Sequence, residues 1–102
     1  MNLKEEVMRD EYGRVFLDVE ELAAVAAGGG FETQYVQKVD RIMPDTADTF
    51  NLIGPRVSGR MYIPAGVYYA RGVRDGQQVS LLFFLNSRAE AIRMGDVVPV
   101  RE

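Results

Sequence analysis

The sequence contains no cysteine and no histidine among its 102 residues. Without these residues the chain forms no disulfide and offers no thiolate or imidazole ligand to a metal ion. The lack of histidine also excludes every catalytic triad that depends on a histidine base. A cysteine-free composition fits a reducing cytosol.

The sequence also lacks any apolar run of the roughly 18 residues that a membrane span requires. Its first ten residues, MNLKEEVMRD, are acidic and amphipathic and lack the apolar core of a signal peptide. With 47% hydrophobic and 26% charged residues, the composition is that of a globular domain. We therefore expect one soluble, cytoplasmic domain over residues 1–102, without a membrane partner.

Lysine is rare, and the net charge of −3 argues against a general nucleic-acid binder and against sequence-specific nucleic-acid binding. Residues 1–30 hold three basic and seven acidic side chains, whereas residues 54–102 hold seven arginines and four acidic side chains. The acidic segment and the basic segment either form ion pairs within one chain or meet head-to-tail between neighbouring copies. Arginine suits the second arrangement because its guanidinium binds carboxylates in a bidentate manner.

The first 27 residues have the pattern of a helical N-terminal part. A capping-box pair, Asn2 with Glu5, and apolar residues at helical spacing predict a helix over residues 3–12. A similar pair ahead of the segment VEELAAVAA predicts a second helix over residues 19–27. Three consecutive glycines then end it.

From residue 31 to residue 102 the pattern is β. Strands are predicted over residues 33–42, with a bulge, and over 57–63, 67–73, 79–85 and 97–101. The tripeptide RDG at Arg74 to Gly76 predicts a hairpin turn. The composition of residues 43–56 predicts a long loop. Residues 87–93 are predicted to form one helical turn before a Gly-Asp turn.

The sequence thus predicts an α+β fold: two N-terminal helices followed by an antiparallel β-sheet of about five strands, which closes into a small sandwich or barrel. The strand predicted over residues 79–85 holds five consecutive apolar residues, Leu81 to Leu85, which predicts a central strand covered on both faces. If the edge of the last strand is open, we expect a neighbouring subunit to cover it.

Several short patterns suggest chemistry, each beside a simpler structural interpretation. The three glycines at 28–30 superficially suggest a phosphate loop, but they follow a helix and lack a Walker lysine, so we interpret them as a helix stop. Asp40, Asp45 and Asp48 suggest a hard-cation site, but the EF-hand spacing is missing and solvated loop acids explain them. We predict no catalytic residue, no metal and no cofactor.

Arg56 and Arg60 resemble the RxxxR half of the cyclic-dinucleotide motif of PilZ domains, although its second half is missing. Two exposed arginines at the start of a strand are the alternative. Tyr62, Tyr68 and Tyr69 beside arginines suggest a stacking surface for single-stranded nucleic acid, or simply packing on the sheet.

Three stretches resemble the small head–tail adaptor (head–tail joining, or connector) proteins of tailed phages and prophages. MNLKEEVMRD…VFLDVEELA is similar to the opening helix of that family and its second, capped helix. GVYYARGVRDGQQVSLLFFLNSRAEA is similar to its long strand and polar connector, and IRMGDVVPV to the turn that follows. The order of these stretches carries the likeness, and residues 43–66 have no counterpart in it.

The resemblance implies a non-enzymatic virion protein that forms a ring between portal and tail. Its partners would be copies of itself and neck proteins such as the portal or the tail terminator, first in the host cytoplasm and then in the virion. The alternative is a phage- or plasmid-encoded regulatory or inhibitory module that binds a host protein or a small nucleotide. The candidate interface residues are Phe50, Leu52, Arg56, Arg60, Tyr62, Arg88 and Arg93.

Overall fold

The computed structural model describes residues 8–44 and 50–96, which form nine strands and one helix. In chain order the elements are β1 (Val15–Asp18), α1 (Val19–Ala26), β2 (Glu32–Lys38), β3 (Arg41–Pro44), β4 (Phe50–Ile53), β5 (Arg56–Val57), β6 (Arg60–Ile63), β7 (Gly66–Arg74), β8 (Gln77–Leu85) and β9 (Ala91–Asp96). The fold of the described residues is therefore mainly β, and the predicted α+β class is wrong.

The strands form one large sheet and two ribbons. The large sheet has the order β5-β2-β7-β8-β9, with every neighbouring pair antiparallel. The ribbons are β1 with β6, and β3 with β4. The prediction that the sheet closes into a small sandwich or barrel is wrong, because among the described residues the large sheet is open, with β5 and β9 as its two edges.

The predicted second helix is confirmed as α1. The carboxylate of Asp18 caps it by accepting the backbone N–H groups of Glu20 (3.1 Å) and Glu21 (3.3 Å). At its other end, the Arg74 guanidinium donates to the carbonyl of Ala27 and to that of Gly29 (3.1 Å). The carbonyl groups just past the end of α1 thus find a hydrogen-bond donor in the last residue of β7.

The prediction of two N-terminal helices is wrong. Met8 to Tyr12 are not helical, and residues 3–7 lie outside the described part of the chain. The Asp10 carboxylate accepts the backbone N–H groups of Tyr12 and Arg14, both at 2.9 Å, and Gly13 has φ +80°. An aspartate that bonds the backbone this way offers a turn in place of a helix.

One face of the large sheet forms the core with α1 and the β1–β6 ribbon. In β8 the side chains of Leu81, Phe83 and Leu85 lie in this core, whereas Leu82 is half-buried and Phe84 is exposed. Burial therefore alternates from Leu81 to Leu85, whereas Ser80, on the face opposite α1, is also buried, and its hydroxyl accepts the Tyr69 hydroxyl there. The prediction that residues 79–85 are covered on both faces is wrong at Phe84, which is exposed, whereas at Ser80 and Leu81 both faces are buried.

The prediction of a long loop over residues 43–56 is also wrong in part. Within it, β4 pairs with β3 in the register Arg41 with Ile53, Ile42 with Leu52, Met43 with Asn51 and Pro44 with Phe50. We call this β3–β4 ribbon the arm. The connection at residues 45–49 lies outside the described residues.

The connection from β8 to β9 is a turn built by Asn86, not a helical turn. Its side-chain carbonyl accepts the N–H groups of Arg88 (3.0 Å) and Glu90 (2.9 Å), and β9 begins at Ala91. The predicted Gly-Asp turn lies inside β9, where Met94 is the extra residue of a bulge. The strand predicted at 97–101 lies outside the described residues.

Two local predictions are confirmed. The register of β2 against β7 shifts between Thr33 and Tyr35, which is the bulge expected in this strand. Asp75 (φ +52°) and Gly76 (φ +77°) both have positive φ, as a two-residue hairpin turn of type I′ requires.

Candidate interaction surface

The face of the large sheet opposite α1 carries apolar side chains at its β8–β9 end. Cross-strand pairing places Phe84 of β8 beside Ile92 of β9, and Leu82 beside Gly95, with Met94 in the bulge between these pairs. The exposed fractions are 39% for Phe84, 50% for Ile92 and 56% for Met94. We call Leu82, Phe84, Ile92 and Met94 the apolar patch. Neighbouring exposed apolar side chains of this kind mark an interaction surface more often than isolated ones do.

The same face is polar and aromatic nearer to β2. The Arg56 guanidinium lies 3.7 Å from the ring centroid of Tyr35, a cation–π contact that joins β5 to β2. The Tyr35 ring lies 5.9 Å from that of Tyr69, whose hydroxyl donates to the Ser80 hydroxyl at 3.1 Å. Arg56 therefore has a structural partner within the chain.

The predicted site residues do not form one site, and Arg56 and Arg60 lie on different sheets. Arg56 is in β5 of the large sheet, whereas Arg60 is in β6 of the β1–β6 ribbon, opposite Asp18. Tyr62 follows in β6 and packs its ring 5.0 Å from that of Phe16.

The other four predicted residues lie on the arm and near the apolar patch. Phe50 and Leu52 belong to β4 of the arm. Arg88 is exposed in the turn before β9, and Arg93 in β9 forms an ion pair with Asp96. The structure thus brings predicted interface residues to two separate surfaces.

Sequence reasoning missed the exposed apolar residues that define these surfaces. Ile42 and Met43 of the arm are 49% and 46% exposed, and Ile92 and Met94 of β9 are more exposed still. The alternation of apolar residues in AIRMGD is a strand signal, but the expected helical turn concealed it. Their exposure depends on which face α1 covers, and only the tertiary structure shows that.

Within residues 8–44 and 50–96, no three acidic side chains come together as a metal site would require. Asp40 instead lies 3.4 Å from the Lys38 ammonium, while Asp45 and Asp48 are outside these ranges. In the described residues, no helix has the length and apolarity needed to cross a membrane.

Two buried tyrosines predict how stability depends on pH. Burial raises the pKa of the Tyr68 phenol, and the Asp40 carboxylate raises it further; burial also raises the pKa of Tyr69. In the unfolded chain these groups ionise at about pH 10. The raised pKa values therefore stabilise the folded state below that pH, and this stabilisation is lost as the pH rises above it. We expect tyrosine absorbance to show both groups ionising only as the protein unfolds.

The control for this titration is the Tyr68→Phe variant, which removes one of the two groups. Its stability should fall less steeply above about pH 10 than that of the wild type. Complete tyrosine ionisation near that pH with an unchanged circular dichroism spectrum would contradict the prediction.

Comparison of the chain with models of protein families, with curated proteins and with solved structures gave no match.

Proposed function

We propose that this chain is a non-enzymatic structural protein of a tailed-phage or prophage virion, a head–tail adaptor that forms a ring between the portal and the tail. It would assemble in the host cytoplasm and remain in the virion. Its partners would be further copies of itself and neck proteins such as the portal or the tail terminator.

The observation that carries the proposal is the pair of exposed apolar surfaces on a small chain. Two residues of the apolar patch belong to β9, which is one edge of the large sheet. The arm follows β2, which lies next to β5 at the other edge. A subunit that presents apolar strands on two opposite sides suits repeated association with its own copies. The resemblance to head–tail adaptor proteins also supports the proposal. It lies in the order of three features: the long β7–β8 hairpin, the polar turn and the Gly-Asp step.

The alternative, a regulatory module for a host protein or a small nucleotide, draws on the same residues with less support. Its nucleotide version needs Arg56 and Arg60 to bind one ligand together, yet Arg56 stacks on Tyr35 in the large sheet and Arg60 lies in the β1–β6 ribbon. Its host-protein version would use the apolar patch but needs no self-association.

Sedimentation velocity over micromolar to millimolar concentrations tests the proposal, with negative-stain images of the largest species. We expect association that grows with concentration, and ring-shaped particles. Portal protein encoded beside the gene should shift the equilibrium further towards assembly. A single monomeric species of 11.4 kDa at every concentration, with and without portal, would overturn the proposal.

A further inference from the structure

Strand β9 is the outermost strand on one side of the large sheet, and among the described residues its outer edge has no partner. A free strand edge presents backbone N–H and C=O groups that can pair with another strand. The charges on β9 are Arg93 and Asp96, which form an ion pair with each other. The edge therefore lacks an unpaired lysine of the kind that often prevents strand addition.

The arm lies towards the opposite side, since β2 leads into it and β5 follows it. Its base is fixed to the body: the Gln37 side-chain amide donates to the carbonyls of Leu52 (2.8 Å) and Gly54 (3.0 Å), and the Asp40 N–H donates to the carbonyl of Ile53 (2.7 Å). Beyond this base the arm is a two-stranded ribbon, which is marginally stable in water by itself. A firmly held ribbon with exposed apolar side chains is suited to pairing with a further strand.

The β5 edge is less suited to such pairing than the arm. Strand β5 has only two residues, and the side chain of Arg56 is engaged with Tyr35. Within the arm, β3 has the exposed cation Arg41, whereas β4 (Phe50–Ile53) has no charged residue. The Asp96 carboxylate of β9 contacts Arg93 through Oδ1, and its other oxygen can accept the Arg41 guanidinium, which favours β3 as the pairing strand.

The sequences of the two strands fix one antiparallel register. With Arg41 opposite Asp96, Ile42 falls beside the Met94–Gly95 bulge and Pro44 falls opposite Ile92. Apolar residues then meet on the face of the apolar patch, while Arg41 and Asp96 meet on the other face, because side chains alternate along a strand. A shift by one residue would turn Arg41 towards the apolar patch, and a shift by two would set it against Arg93.

We propose that β3 of one copy adds antiparallel to β9 of the next copy in this register, so that the sheet continues from subunit to subunit. The inference rests on the proposed function and names the surfaces through which copies associate. Because two different edges meet, the contact is heterologous, which closes into a ring when the rotation per subunit permits.

The absence of native cysteine allows a direct test of this contact by disulfide cross-linking. Paired residues on antiparallel strands have Cα atoms about 4.5–5.5 Å apart, within the range that a disulfide spans. We expect a mixture of Ile42→Cys and Met94→Cys chains to form a covalent dimer on oxidation, and neither variant to do so alone. Val25→Cys is the control, since this exposed helix residue lies on neither edge.

A second test compares two lysine substitutions at exposed apolar positions. Met94→Lys should weaken self-association about tenfold or more, because the contact would bury its charge. Val25→Lys, at a position that is 65% exposed on α1, should leave association unchanged. Both positions are on the surface, so the circular dichroism of both variants should match that of the wild type.

The possible outcomes separate this contact from the ring itself. If Met94→Cys alone forms covalent dimers, two β9 edges meet around a two-fold axis and the proposed contact is wrong. If the wild type assembles but the mixed cysteine variants do not cross-link, the ring stands and this contact is overturned. If the wild type remains monomeric even with portal, both proposals fail together.

Discussion

Replacement of Gly54 by alanine is expected to lower the free energy of unfolding by about 4 kcal/mol, near the upper end of what single substitutions cost. A Cβ atom at this position would lie 1.7 Å from the backbone oxygen of Lys38 and 2.8 Å from its carbonyl carbon. Gly54 also has φ +156°, a conformation that L-residues rarely adopt. Since the obstructing atoms belong to the backbone, β2 and the base of the arm must separate. Urea unfolding followed by circular dichroism measures the loss.

Gly59→Ala is the matched control for Gly54→Ala. Gly59 also has positive φ (+70°), but no atom lies within 4 Å of the position that its Cβ would occupy. Its substitution should cost only the strain of the left-handed conformation, about 1–2 kcal/mol. Equal losses for the two variants would show that the close approach between Gly54 and Lys38 does not hold the arm.

Replacement of Phe83 by alanine should cost about 3–5 kcal/mol, the usual cost of removing a buried phenylalanine. Phe83 is fully buried, and its ring stacks on that of Tyr68 with centroids 5.6 Å apart. The substitution would leave a cavity in the core on this face of the large sheet. Chemical unfolding at constant temperature measures the effect.

The neighbouring residue supplies a control that differs only in the face it occupies. Phe84→Ala removes the same ring from the apolar patch, where the side chain is 39% exposed. It should cost less than about 1 kcal/mol of stability and should weaken self-association instead. A loss of stability as large as that of Phe83→Ala would mean that the patch is covered within the monomer.

Local features of the fold follow from the sequence where a few adjacent residues decide them. Asp18 and the acidic residues after it define the start of α1, and the Arg74 to Gly76 tripeptide defines the β7–β8 turn. The same local logic fails at residues 8–12. Apolar spacing there favours a helix, but Asp10 bonds its own backbone and prevents one.

Features that depend on distant contacts are not accessible to the same reasoning. The arm contains Pro44 and lies in a segment rich in turn-forming residues, and its strand character comes from the pairing of β3 with β4. The apolar run at residues 81–85 predicts a strand covered on both faces, but α1 and the β1–β6 ribbon pack against the same face, and Phe84 on the other face is exposed. The candidate surface depends on this asymmetry.

The tie between Arg74 and the end of α1 has a consequence for the order of folding. It joins residues that are 47 apart in sequence. Strand β1 likewise pairs with the later strand β6, and β2 pairs with the later strands β5 and β7. During synthesis the segment from Val15 to Lys38 thus leaves the ribosome before the strands with which it pairs. The β7–β8–β9 meander closes through short turns and needs no distant partner, so it is expected to fold first and to act as the template on which the N-terminal segment docks.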